Sequence, residues 1–320
     1  MTDEILNDLY GRRILITGGA GFLGSHLVDN LNICDITVID DFSTVRENYL
    51  PSRVKLVRCR SEVYETDEKF DIIIHMAARP SPEDYMKNPV ETMLPNSIGT
   101  YNMLEIARKN DATFLYTSTS EVYGSADAVP TPETYWGSVN PIGVRSCYDE
   151  SKRFSEALAM SYHRQYGLDI RIERIFNVYG PRLRGDGTYG RVISRFIIQA
   201  LEGENLTVHG DGTQTRAFLY VDDWVEATIR MLTLKNLCGE TINVGSDKEV
   251  KIIDLAKKII KLTKSRSEIV YTPPRPEDPK RRAADISKAK ELLKWSPKTT
   301  LDEGLEKTIE WFKINMRRTK

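Results

Sequence analysis

At 320 residues, 40% hydrophobic and 28% charged, the chain has the composition of a soluble globular protein, long enough for one large domain or two modest ones. A formal net charge of −1 excludes a global field that would draw it to nucleic acid or to a membrane surface, so local basic clusters are read as sites. The opening MTDEILNDLYGRR carries acids where a signal peptide needs positive charge, and no apolar run approaches a membrane span, so a cytoplasmic protein is expected. Four cysteines (Cys34, Cys59, Cys147, Cys238) and four histidines (His26, His75, His163, His209) are scattered without paired ligand spacing, so neither a disulfide framework nor a metal site is expected.

In chain order, residues 13–17 (RILIT), 36–40 (ITVID), 54–57, 71–75 (DIIIH) and 113–117 read as strands. Nearly continuous apolar runs suit a parallel sheet covered on both faces. Residues 21–31 and 90–109 between them read as helices, and the alternation predicts a doubly wound, Rossmann-type α/β fold. A helix at 148–166 leads into a strand at 170–175. Loop signals then gather at 180–190, 203–214 and 273–279, separated by helices near 192–201, 222–234, 252–262 and 285–293. A dinucleotide-binding domain is expected over 1–176, with later returns near 216–246, and a smaller substrate-binding part from 177–215 and 247–320. The cleft between them is the expected ligand site.

The first strand runs into Gly18-Gly19-Ala20-Gly21-Phe22-Leu23-Gly24 at the mouth of a helix. Gly18 suits a tight turn, Gly21 lets backbone approach a pyrophosphate, and Gly24 lets the helix sit close on the sheet. The helix start supplies free N–H donors to the anion. About twenty residues on, Asp40-Asp41 ends the second strand, where a carboxylate can hold the adenosine ribose and repel a 2′-phosphate. Asp40 is the candidate, and NAD rather than NADP is the expected cofactor. Asp41 serves equally well as a turn residue.

Tyr148 and Lys152 stand four apart on one helical face, downstream of the hydroxyl-rich strand end Thr117-Ser118-Thr119-Ser120. This resembles the extended, sugar-nucleotide-modifying branch of the short-chain dehydrogenase/reductase superfamily. There the tyrosine is the acid/base for a sugar hydroxyl, and the lysine holds the nicotinamide ribose and lowers the tyrosine pKa. Bringing a tyrosine from about 10 to near 7 takes roughly 4 kcal/mol. One cation about 4 Å away at an effective dielectric near 20 supplies about that.

The resemblance runs from about Arg12 to Phe312 and sharpens at Ser118-Thr119-Ser120-Glu121-Val122-Tyr123-Gly124, Tyr135-Trp136-Gly137, Asn140-Pro141-Ile142-Gly143 and Arg145-Ser146-Cys147-Tyr148-Asp149-Glu150. These are similar to UDP-glucuronate decarboxylases, which form UDP-xylose. The 4,6-dehydratases usually place an aspartate where Ser120 stands, and 4-epimerases usually lack Glu121. Both remain the alternative reading. The resemblance implies oxidation at C4, loss of CO₂ from the resulting β-keto acid, and reduction at C4, with NAD recycled.

Thr119 is then expected at the C4 oxygen, Ser120 and Glu121 near C5 and C6, and Arg282 near the glucuronate carboxylate. Ser81 and Tyr85 match the sugar-facing loop. Asn177, Arg191, Arg216 and Arg275 match positions that hold the UDP-sugar, where a guanidinium fork suits phosphate. Arg281 has no such match and is expected at the surface. The chain departs from the family at Ser61-Glu62, where an adenine-holding aspartate is usual, and in the longer segment 184–189 (RGDGTY). The nucleotide base is therefore left open. A homodimer through the helices near 90–109 and 148–166 is also implied.

Overall fold

The computed structural model describes residues 3–185, 190–275 and 278–318. Seven parallel strands form the central sheet: β1 (Arg13–Thr17), β2 (Asp35–Ile39), β3 (Lys55–Val57), β4 (Ile72–His75), β5 (Thr113–Thr119), β6 (Ile170–Ile175) and β7 (Thr241–Val244). Their spatial order is β7-β6-β5-β4-β1-β2-β3. Consecutive residues are apolar because both faces are covered: Ile14, Ile16, Ile74 and Leu115 enter one core, Leu15, Ile73, Phe114 and Tyr116 the other. The order reverses at β1, which pairs with β2 on one side and β4 on the other. A crevice for ligands opens there, beyond the carboxyl ends of the strands.

The principal helices are α1 (Phe22–Asn30), α2 (Thr100–Asn110), α3 (Ser146–Tyr166), α4 (Val192–Glu202), α5 (Val221–Thr233), α6 (Ile252–Thr263) and α7 (Leu301–Arg318). Helix α3 buries Tyr148, Ser151, Lys152, Ser155, Ala159 and Tyr162, one stripe at helical spacing, and ends on Gly167 in the left-handed conformation.

The single helix expected over 90–109 is instead three pieces: Pro89–Leu94, a π-helical turn Pro95–Gly99, and α2. Pro95 has no N–H to continue the ladder. The distortion lets the Pro95 carbonyl meet His75 Nε2 at 3.1 Å, and Asn96 Nδ2 donates to Ser151 Oγ at 3.1 Å. Strand β5 runs two residues further than expected, so Ser118 and Thr119 belong to it. A 3₁₀ turn, Ser120–Tyr123, follows, with Thr119 Oγ1 accepting from the Glu121 N–H at 3.3 Å.

The C-terminal part carries short strands that the sequence pattern does not announce, one of them, Leu206–His209, inside a predicted loop. Leu206–His209 pairs with Ile269–Thr272, and Thr215–Ala217 lies between Glu249–Lys251 and Arg281–Arg282. Helix α7 was not anticipated from its pattern. Of the segment 184–189, residues 186–189 lie outside the described ones.

Candidate active site

A cleft of ≈ 660 Å³ runs along the carboxyl ends of the strands, between the sheet and the C-terminal part. At its floor Gly18 has φ +70, and a Cβ there would lie 2.9 Å from the Ala77 backbone. A Cβ on Gly24 would sit 2.5 Å from Gly19 Cα, so only glycine lets α1 begin this close to the loop. The N-cap, Gly21, has no side chain to cap the helix, and its first N–H groups, beside Phe22 and Leu23, are left for an anion. Asp40 stands just past β2. Its Oδ2 accepts from the Ala20 N–H at 3.0 Å and its Oδ1 from Phe42 at 2.9 Å, and burial raises its pKa. It thus ties the glycine loop to β2 while keeping lone pairs toward the cleft. Asp41 caps its own turn through Ser43, 2.9 Å away. Where the family aspartate is missing, Ser61 donates to Glu62 Oε2 at 3.0 Å and both line the cleft. The glycine cradle, the open helix start and the buried carboxylate fit a dinucleotide.

Tyr148 and Lys152 both face the cleft from α3. Tyr148 bonds the Thr119 hydroxyl. Tyr85 stacks on it, with ring centroids 5.2 Å apart and planes 1° from parallel. The expectation of a lowered tyrosine pKa is corrected: burial pushes Tyr148 up to about 12, against the opposing pulls of Arg191 and the Thr119 hydroxyl. Lys152 is not aimed at the phenol. Its ammonium donates to the Thr117 carbonyl at 2.8 Å and lies over the Tyr116 ring, and burial lowers it to about 7.

Glu121 reaches the same cleft from the 3₁₀ turn and is clasped by two guanidiniums, Arg282 on Oε1 and Arg145 on Oε2. Burial alone would raise its pKa, but the charges of Arg282 and Arg145 outweigh it and hold the carboxyl at about 2. Glu121 is therefore a carboxylate at neutral pH. Arg145 is the residue that sequence reasoning missed. It lies inside a quoted motif, three before Tyr148, and is itself buried, with its Nε 3.8 Å from Asp149 and its guanidinium 5.9 Å from the Tyr85 ring centre.

Along the outer wall stand Ser81, Asn177, Arg191, Arg216 and Arg275. Asn177, at φ +41, turns the chain after β6 and donates to the Ala217 carbonyl at 3.1 Å. Arg216 is paired with Asp278 at 2.9 Å, and Arg275 with Glu83 at 2.8 Å. Arg195, a second residue not anticipated, joins them from α4; burial lowers it to about 10, helped by the nearby Arg275. Tyr85 was expected on the sugar side, but it is 1% exposed and lies behind Tyr148 rather than on the cleft wall. Arg281 is exposed and pairs with Glu249. Ser120 is buried at the cleft between Thr119 and Glu121. Among the described residues no cluster of metal-binding side chains occurs, and no helix is long and apolar enough to cross a membrane.

The chain is 48% identical over 311 residues to UDP-glucuronic acid decarboxylase 3 of Arabidopsis thaliana, covering 95% of this chain and 90% of that one. It is 44% identical to UDP-glucuronic acid decarboxylase 1 of Danio rerio, covering 97% and 74%. Among solved structures, the UDP-glucuronic acid 4-epimerase of Bacillus cereus in complex with NAD matches with a TM-score of 0.82 at 32% identity, over 95% of this chain and 99% of that one. The UDP-glucose 4-epimerase of Thermotoga maritima with UDP-glucose matches with a TM-score of 0.88 at 32% identity, over 95% and 99%. Residues 14–245 match the NAD dependent epimerase/dehydratase family. With its glycine cradle, its tyrosine–lysine pair and a match over most of its length, the chain belongs to the NAD-dependent epimerase/dehydratase family.

Proposed function

We propose that the protein is a UDP-glucuronate decarboxylase that oxidises C4, releases CO₂ and restores C4 to a hydroxyl. The carrying observation is Glu121 clasped by Arg282 and Arg145 within the cleft that holds Tyr148 and Thr119. Glycines 18, 21 and 24 with Asp40 would hold NAD, and Lys152 its nicotinamide ribose. NAD, when bound, supplies the oxidation and reduction at C4 and a ring cation beside the phenol.

The residues do the rest. As the phenolate, which the ring cation of bound NAD would favour against the burial that raises its pKa, Tyr148 takes the C4 hydroxyl proton and gives it back. In the middle of the cycle the phenol, now carrying that proton, and the Thr119 hydroxyl donate to the C4 oxygen as it gathers enolate charge. Arg282 offers a cation to the C6 carboxylate, while Glu121 and Arg145 fix that guanidinium's direction. Ser120 stands where C5 is reprotonated. Arg191, Arg195, Arg216 and Arg275 supply positive charge along the wall for a diphosphate. This cycle is redox-neutral. Purified protein with UDP-glucuronate should turn over without added reductant and accumulate little free NADH; stoichiometric NADH release would mean a net dehydrogenase.

A homodimer belongs to the same proposal. Tyr101 on α2 and Phe154 and Tyr166 on α3 keep 49–53% of their surface exposed, an apolar face on two packed helices suited to a second copy.

A further inference from the structure

Glu173 lies in β6 with no exposed surface, and no step above uses it. The register of β5 and β6 sets it beside Thr117. Thr117 then serves two groups at once: its carbonyl accepts Lys152 Nζ at 2.8 Å, and its hydroxyl donates to Glu173 Oε1 at 2.9 Å. Thr228 of α5 donates to the other oxygen, Oε2, at 2.9 Å. A buried carboxylate held by neutral hydroxyls is costly unless a cation shares its surroundings. Lys152 is the cation that acts on it, through one residue, yet burial outweighs the hydroxyls and that charge and raises Glu173 to about 7. The other acid near Lys152, Glu156, acts on it more strongly than Glu173 does, and is itself engaged by both arms of Arg174 and by Ser118.

We infer that Glu173 is a positioning residue for the active-site lysine: through Thr117 it fixes the carbonyl that receives Lys152, and in its ionised form it adds to the charge of Glu156 in favouring the ammonium. The inference rests on reading Lys152 as the residue that holds the nicotinamide ribose of the cofactor. The other groups facing the pair are His75 from β4, Tyr116 from β5, Glu156 from α3, and the neutral Thr228 and Trp224 from α5.

The test follows Lys152 itself by NMR of protein carrying carbon-13-labelled lysine, the resonance assigned by its loss in Lys152→Arg. Glu173→Gln keeps the shape and an acceptor but removes the charge. Lys152 should then titrate lower by about one pH unit, the scale of one charge within about 10 Å at an effective dielectric near 20. NAD affinity should weaken at pH 8 more than at pH 6. Glu150→Gln, part-exposed on the same helix, should leave both unchanged. A folded Glu173→Gln protein with Lys152 titrating as in the parent overturns the inference. If that variant fails to fold, Thr228→Val, which loosens one bond to the carboxylate, should give a smaller shift in the same direction, and no shift there overturns it too. Because no sugar is needed, the outcomes separate. A shifted lysine in a protein inert toward UDP-glucuronate would refute the decarboxylase and keep the positioning role.

Discussion

Tyr148 is protonated in the protein by itself because burial outweighs the positive charge around it. Tyr148→Phe removes the acid/base assigned to the C4 hydroxyl, so oxidation and CO₂ release should fall together, by about 10²–10⁴. Glu121→Gln and Arg282→Ala should act later, since neither touches the C4 proton. Both should still reduce bound cofactor in a single turnover, read by its absorbance, while CO₂ appears slowly. If folded Glu121→Gln releases CO₂ at the parental rate, Glu121 has no part in that step. At the other end of the cleft, Asp40→Ala should weaken NAD binding and narrow the preference over NADP, because it removes the carboxylate that a 2′-phosphate would meet. Equal affinity of the parent protein for both cofactors would contradict that role. These residues were legible because each sits in a local motif. Arg145 lies in such a motif but its partner Glu121 does not show there, and Arg195 lies outside one; only the fold brings the residue at the start of α3 and one from α4 to the same cleft.

The elements that carry the site were legible where periodicity alone decides them. β1, β4 and α3 follow from apolar runs and one helical stripe, whereas the break in the helix at Pro95 depends on a tertiary partner, His75. That ring is fully enclosed, 2.7 Å from Thr17 Oγ1 and 3.1 Å from the Pro95 carbonyl, and burial, with the Lys152 charge, holds its pKa at about 3. Between about pH 3 and the ordinary value of 6.5 the unfolded chain binds a proton that the native ring refuses, so native stability falls as pH drops through that window. Glu173, raised to about 7 by burial, works in the opposite sense between 4.5 and 7, so the effect must be read by difference. The stability gap between parent and His75→Gln should shrink by about 1.4 kcal/mol per pH unit below 6.5 in urea titrations. A gap constant from pH 7 to 5 would mean that the ring is protonated in the native state. The short strands after β6 escaped sequence reading for a related reason: two to four residues carry no period, and only the pairing of Thr215–Ala217 with Arg281–Arg282 brings Arg282 to Glu121.

At the scale of the molecule, the sheet supplies a cofactor crevice at its reversal point and the C-terminal part folds back to roof it with arginines. The apolar face of the two packed helices predicts a dimer. Tyr101→Glu with Phe154→Glu should shift the protein in solution to the 36.5 kDa mass of one chain; an unchanged larger mass would place the contact elsewhere. In a decarboxylase, C4 oxidation leads to loss of C6 rather than to inversion at C4. That outcome is tested most directly by product analysis: purified protein with NAD and UDP-glucuronate, the sugar nucleotide followed by NMR and CO₂ by trapping. The expected product is a five-carbon sugar nucleotide, with one CO₂ for each substrate consumed. A six-carbon product inverted at C4, with no CO₂, would contradict that outcome and make the protein an epimerase.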